Sequence, residues 1–285
     1  MNRITKYLPH IGALLTLGLP LVGSHVAQFA ITMTDAIMLG WYDVTALAAE
    51  VLAGGFFFLI FITGSGFAWA VTPLVAEAEA KGDTTQARRA TRMALWLVAI
   101  YTAIMLPVMF FSETIFLAIG QTPEIAAQAG IYLAIAGLGL LPANVVMVFK
   151  SFLSALERTR IVLWVTLAAV VANAALNYVL IFGQFGMPEL GIRGAAIASV
   201  GTQIFSALLM VVYIQRVLPE HTMFQRFWRP DWEAFKQVFS LGVPIGLTTL
   251  AEVALFSAAS VMMGWLGEVP LAAHGIALQI ASLTF

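Results

Sequence analysis

The chain has 285 residues, of which 61% are hydrophobic and 10% charged, and its mean hydropathy is +0.93. A soluble domain carries roughly 25% charged residues, so too little charge is present here to clothe a water-facing surface. A net charge of −1 offers no basic face for nucleic acid, and the absence of cysteine excludes disulfides, thiolate metal sites and cysteine nucleophiles. What remains is a polytopic integral membrane protein.

A transmembrane helix needs about 20 mostly apolar residues. Seven such spans are predicted, at Leu8–Leu39, Ala46–Ala76, Met93–Phe111, Ile125–Phe149, Ile161–Gly183, Gly191–Ile214 and Phe235–Leu266, and an eighth begins at Leu271. The first is longer than a signal-peptide core of about 7–15 residues and lacks a small-residue cleavage site, so it reads as a retained helix. Pro20, Pro73, Pro107, Pro142 and Pro244 interrupt the spans. The alternation of a β-barrel strand is absent, so the spans are helices. Thirteen of the 14 Lys and Arg residues fall at the N-terminus and in the second-to-third, fourth-to-fifth and sixth-to-seventh connections; only Arg193 lies opposite. The positive-inside rule then places the N-terminus in the cytoplasm.

The chain also repeats itself. A shift of 224 residues lays Leu17-Gly18-Leu19-Pro20 on Leu241-Gly242-Val243-Pro244, Met38-Leu39-Gly40-Trp41 on Met262-Met263-Gly264-Trp265, and Leu47-Ala48-Ala49 on Leu271-Ala272-Ala273. Over Leu17–Ala49, 11 of 33 positions are identical, including proline and tryptophan, which hydrophobic helices do not match cheaply. Six spans fit one period, so both copies have the same orientation. Parallel repeats about an axis along the membrane normal are a transporter architecture. The chain reads as one whole half and the opening of the other.

Ionisable groups at membrane depth cost at least roughly 2.5–3.5 kcal/mol each, which makes them functional candidates. Glu252 lies 16 residues after Lys236 and 12 before Gly264, near mid-bilayer, with Thr248 and Thr249 one turn before it. A helix-packing contact is the alternative. Asp35 continues a stripe of Ser24, Gln28 and Thr32 that should face a bundle interior, although Trp41 nearby also permits an interfacial aspartate. Asn173 and Asn177 stand one turn apart, two turns after Thr166, as site residues or as interhelical glue. Asn144 reads as glue. His10 and His221 read as interfacial and solvated, His25 and His274 as packing residues. No Lys or Arg answers the deep acids, so they exchange protons or hold a hard cation such as Na⁺, and the cavity favours cationic ligands. Pro20 and Pro244 occupy matching positions and read as paired hinges. No hydrolase, zinc-protease or Walker A motif is present, and the loops leave no room for a nucleotide domain. An ion gradient must therefore supply the energy.

Leu17-Gly18-Leu19-Pro20 followed by Thr34-Asp35-Ala36-Ile37-Met38-Leu39-Gly40 resembles the first helix of multidrug and toxic compound extrusion (MATE) transporters. The basic loop Ala78–Arg92, the Leu156–Arg160 turn and Gly191–Ala196 are similar to the same family, and Gly242–Glu252 resembles the seventh helix of its NorM-type branch. The resemblance implies an all-α, two-lobe antiporter of the bacterial inner membrane, in which cationic amphiphilic drugs and dyes leave in exchange for Na⁺ or H⁺ by alternating access. The expected organisation is a six-helix lobe over 1–218, a cytoplasmic linker over 219–236, and helices seven and eight of a second lobe over 237–285. The resemblance implies an ion and substrate site at Asp35, Asn173 and Asn177, where Na⁺ can sit; Gln28 on the stripe of Asp35 and Thr248 one turn before Glu252 are expected as supporting polar residues. It also implies a second-lobe cation site at Glu252 and a bending helix at Pro20, with Pro244 its counterpart. A monomer without organic cofactor or structural metal is expected. The rival readings are a lipid-linked oligosaccharide flippase, which should show cavity Lys or Arg, and a membrane-embedded transferase, which should show clustered Asp or His.

Overall fold

The computed structural model describes the backbone over residues 3–282 and side chains over 15–281 except Gln279. His10 lies outside the described side chains. The described residues form eleven α-helices: α1 (Arg3–Tyr42), α2 (Val44–Trp69), α3 (Val71–Ala80), α4 (Thr84–Phe110), α5 (Ser112–Ala118), α6 (Pro123–Ala136), α7 (Leu140–Ala155), α8 (Thr159–Ile181), α9 (Ile192–Val217), α10 (Trp232–Gly264) and α11 (Glu268–Ser282). Among the described residues seven helical spans are long and apolar enough to cross a membrane: α1 from Leu15, α2 with α3, α4, α6 with α7, α8, α9 and α10. Each predicted span is found.

Their ends differ from the predicted ones because polar caps, not the last apolar residue, terminate a helix. The Asp43 carboxylate accepts from the Ala46 N–H at 2.9 Å, Asp83 from Gln86 at 2.9 Å and Asp231 from Ala234 at 3.2 Å, so α2, α4 and α10 each start before their apolar run. The prolines divide into two groups. Pro73 and Pro142 fall in the first turns of α3 and α7, where no helical N–H is required. Pro107 and Pro244 lie inside continuous helices, as does Pro20 in α1.

α2 is the hub, packing against α4, α6, α7, α10 and α11, while α1 lies along α8 and α8 along α9. Glycine makes the tightest contact possible. A Cβ on Gly66 would meet the Gly242 carbonyl oxygen, and would lie 2.5 Å from the Gly246 nitrogen and 2.7 Å from its Cα. Gly242 and Gly246 flank Pro244, so the kink position of α10 is seated directly on α2. Gly64, two residues earlier, leaves space for the Tyr101 ring of α4. In a bilayer, where apolar contact with lipid equals apolar contact with protein, such close backbone approach is what holds helices together. Asn144, expected as glue between helices, instead donates to Leu140 of its own helix at 3.0 Å.

The segment between α9 and α10 is bound to the basic end of α4. Arg92 donates to the Gln225 and Arg226 carbonyls at 3.3 and 3.1 Å, and the Trp96 indole to Phe227 at 3.0 Å. Arg88 donates to Thr222, and Arg89 grips Asp231 bidentately and reaches Glu233 at 2.7 Å. His221, expected to be solvated, is buried: its ring packs edge-on against Phe152 at 5.3 Å and lies 3.7 Å from Glu79. A short 3-10 turn at Pro219–His221 folds it back under α7.

Gly66→Val should force α10 off α2 and lower stability by about 1–3 kcal/mol, an overpacking cost read by thermal unfolding in detergent. The Arg89 guanidinium, aided by the Ala234 N–H, holds the Asp231 carboxyl below the usual carboxylate range. A depressed folded value means that this contribution is complete above the unfolded value of about 3.9 and is lost as pH falls through the folded value. Hydrogen exchange over residues 222–231 should therefore stay slow at about pH 5, rise only below about pH 4, and be fast already at neutral pH in Asp231→Asn.

Candidate functional site

Asp35 sits seven residues, or about 10 Å of helix rise, before the end of α1 at Tyr42. There α1 lies against α8, whose Asn173 and Asn177 project from one face because they are one turn apart. All three side chains are buried, both asparagines completely. Asn173 Nδ2 donates to Asp35 Oδ1 at 3.0 Å, and Asn177 Nδ2 donates to the same oxygen and to Asn173 Oδ1 at 3.2 Å. Ser199 of α9 donates its hydroxyl to Asp35 Oδ2 at 3.4 Å. Hydrogen bonds to a charged acceptor are worth about 1.5–3 kcal/mol each, so amides together offset much of what burying this carboxylate costs. No cation takes part: among the described residues every ion pair involves Glu77, Glu79, Glu220, Asp231 or Glu233, all at the end of the molecule bearing Arg88 and Arg89.

The donors do not exhaust the acceptors. Asn177 Oδ1 is buried with no partner, and Asp35 Oδ2 receives only the long Ser199 bond. These are hard oxygens, suited to a proton on the carboxylate or to a monovalent cation.

Two small cavities adjoin this cluster. One is bordered by Gln28, Thr166, Thr202, Gln203 and Ser206 among apolar neighbours, the other by Phe57, Tyr132, Ser199 and Gln203. Gln203 is common to both. Gln28 thus faces the interior with one edge although it is largely exposed, whereas Thr32 is exposed and Ser24 is buried and bonded to Leu21 of its own helix at 2.7 Å. The predicted stripe of α1 therefore reaches the interior at Ser24, Gln28 and Asp35 but not at Thr32.

Other expected site residues are not brought to this cluster. Glu252 is exposed on α10 and, among the described residues, makes no hydrogen bond or ion pair. Thr248 is exposed too, its hydroxyl donating to the Pro244 carbonyl at 3.0 Å, one turn back across the proline. Pro20 is half-buried in α1, some four turns from Asp35.

One buried acid escapes sequence reasoning. Glu50 of α2 is 6% exposed, near enough to Asp35 to interact with it electrostatically, and Tyr132 of α6, also 6% exposed, feels both carboxylates. Its position, six residues inside the Asp43-capped start of α2, matches the depth of Asp35 from the same end of the molecule, and that count is the signal that finds it.

Seven apolar spans among the described residues, with a buried carboxylate–amide cluster between α1, α8 and α9, define a multi-pass membrane protein with its polar site inside the helix bundle. Residues 20–179 match the MatE family, and the chain belongs to it. It is 52% identical over 278 residues to "Probable multidrug resistance protein NorM" of Rhizobium meliloti (strain 1021), covering 97% of this chain and 60% of that protein. The protein of the same description from Agrobacterium fabrum (strain C58) is 48% identical over 282 residues, with 98% and 61% covered. The chain thus spans about three-fifths of the length of these curated relatives. Among solved structures, the crystal structure of the eukaryotic MATE transporter AtDTX14 superposes with a TM-score of 0.82 at 17% identity, over 90% of this chain and 57% of that one. The fold is accordingly a six-helix MATE lobe with the first helices of the second, parallel lobe.

Asn177→Leu, close in volume but without donors, should cost about 1–3 kcal/mol by leaving Asp35 short of a partner. Asp35→Leu in the same background should recover part of that loss, because a buried acceptor without donors is worse than none. Denaturant or thermal unfolding of the three proteins measures both effects.

Proposed function

We propose that this chain forms the first lobe, and the opening of the second, of a cation-coupled antiporter that exports cationic amphiphilic drugs and dyes. The observation that carries this reading is Asp35: a carboxylate buried at membrane depth, held by amides and a hydroxyl and answered by no Lys or Arg among the described residues. Amide donors keep the carboxylate in place without neutralising it, so the site attracts a positive charge and holds it reversibly. A proton or Na⁺ on Asp35, with the free Asn177 oxygen as a further ligand, competes there with an organic cation. Binding of one displaces the other, which is the coupling an antiporter needs. The absence of cavity Lys or Arg beside Asp35 disfavours the flippase for anionic lipid-linked sugars. The relatives carrying multidrug-resistance descriptions support the substrate class.

In this reading the basic ends of the helices lie in the cytoplasm, the protein works in the bacterial inner membrane, and a monomer suffices. The lobes run over 1–218 and 237–285, and Pro20 and Pro244 let the first helix of each bend. Glu252, exposed here, meets its partners when further second-lobe helices cover it.

The test is ethidium efflux from a pump-deficient bacterium. It compares this chain with a chimaera continuing it through the remaining residues of the Rhizobium meliloti relative, under imposed Na⁺ or H⁺ gradients. The chimaera should export the dye, and Asp35→Asn should slow export at least about tenfold, the loss of one buried charge pairing. No export under either gradient, or full export by Asp35→Asn, contradicts the proposal.

A further inference from the structure

Asp35 is not the sole acid inside this lobe, and the two acids are treated differently by the chain. Asp35 has its Oδ1 occupied by two amides and its Oδ2 approached by Ser199. Glu50 has no such support: its Oε2 is buried and without any partner, and no ion pair reaches it. The side chain lies back along α2 over Gly54, where an added Cβ would stand 3.1 Å from Oε1. That glycine keeps room beside the carboxylate. Tyr132, close enough to interact with Glu50, also lines the cavity shared with Phe57 and Ser199, so an aromatic wall adjoins the acid.

An unpaired buried carboxylate is costly unless something regularly pairs with it. A packing role would be served by glutamine, which carries no charge. The repeat argues in the same direction. Glu50 falls on His274 under the 224-residue shift, and His274 Nε2 is likewise buried and unpartnered. Val51 and Gly275, the next residues on, fall on each other under the same shift and meet where α2 packs against α11. Both repeats therefore place an unsatisfied polar group one residue from the same helix contact.

We infer that Glu50 is a second anionic recognition group of the first lobe, which meets the positive charge of the substrate beside Tyr132 together with Asp35, so that a proton or Na⁺ arriving at Asp35 still displaces the substrate. The inference rests on the proposed transport reading and divides its site between two acids. An organic cation with an aromatic body suits this place, since the carboxylate meets its charge and the Tyr132 and Phe57 rings meet its apolar surface. A substrate with two cationic centres engages both acids at once.

The experiment measures tetraphenylphosphonium binding to the purified chain and chimaera, at several Na⁺ concentrations and pH values, for wild type, Glu50→Gln, Glu50→Asp and Asp35→Asn. Glu50→Gln should raise the Kd at least about tenfold, with the response to Na⁺ and pH retained, and Glu50→Asp should recover part of the affinity. A purely structural role would not be rescued by charge alone. Wild-type affinity in Glu50→Gln overturns the inference while leaving the antiporter reading intact. No binding by wild type, or no effect of Asp35→Asn on the response to cations, overturns the antiporter reading itself. If Glu50→Gln does not fold, Glu50→Asp decides: weaker binding supports the inference and wild-type binding overturns it.

Discussion

A carboxylate inside a bilayer has to be answered by something, and here the answer is a pair of amides. The contact of α1 with α8 exists at the depth of Asp35 because Asn173 and Asn177 bring three N–H···O bonds to one place. Had a lysine or arginine stood there, the pair would be neutral and inert toward cations. Amides instead position the charge and leave it uncancelled. The surrounding apolar cluster, with Leu39, Leu133 and Ile181 fully buried, excludes the water that would otherwise screen it.

The rest of the architecture serves the same end by keeping α2 in place. α2 presents Gly64 to α4 and Gly66 to α10, so neighbours approach its backbone from two sides without bulky side chains between. The linker before α10 is tied to α4 by Arg88, Arg89, Arg92 and Trp96, which fixes where α10 begins relative to the first lobe. At the opposite end Thr45 donates to Glu268 at 2.8 Å, Gln121 to the Val261 carbonyl at 2.8 Å and the Trp265 indole to Ile119 at 2.6 Å. α10 is thus held against the first lobe near both of its ends by polar contacts and near Pro244 by glycine. α10 therefore has fixed points on either side of Pro244.

Much of this was readable from residue order. Apolar runs located every span, because a bilayer leaves the backbone little choice but helix. Asp35, Asn173 and Asn177 stood out because polar side chains in such runs are rare. Helix ends were less readable, since Asp43, Asp83 and Asp231 act through a single hydrogen bond three residues away. Glu50 was missed for a related reason: it lies close to the polar start of α2, where an acid ordinarily faces water, and only the packing of α6 shows that it does not. His221 deceived in the opposite direction, a histidine in a charged connection that the turn beneath Phe152 withdraws from water. Glu252 is exposed on α10, and the described helices bring no partner to it.

In the proposed antiporter a small cation and an organic cation compete for the carboxylate that Asn173 and Asn177 hold. The direct measurement is isothermal titration of wild-type chimaera with ethidium over a series of Na⁺ concentrations, and separately over a series of pH values. Competition should raise the apparent Kd with the concentration of one of these cations without change in the number of sites. An apparent Kd indifferent to both Na⁺ and pH would contradict it.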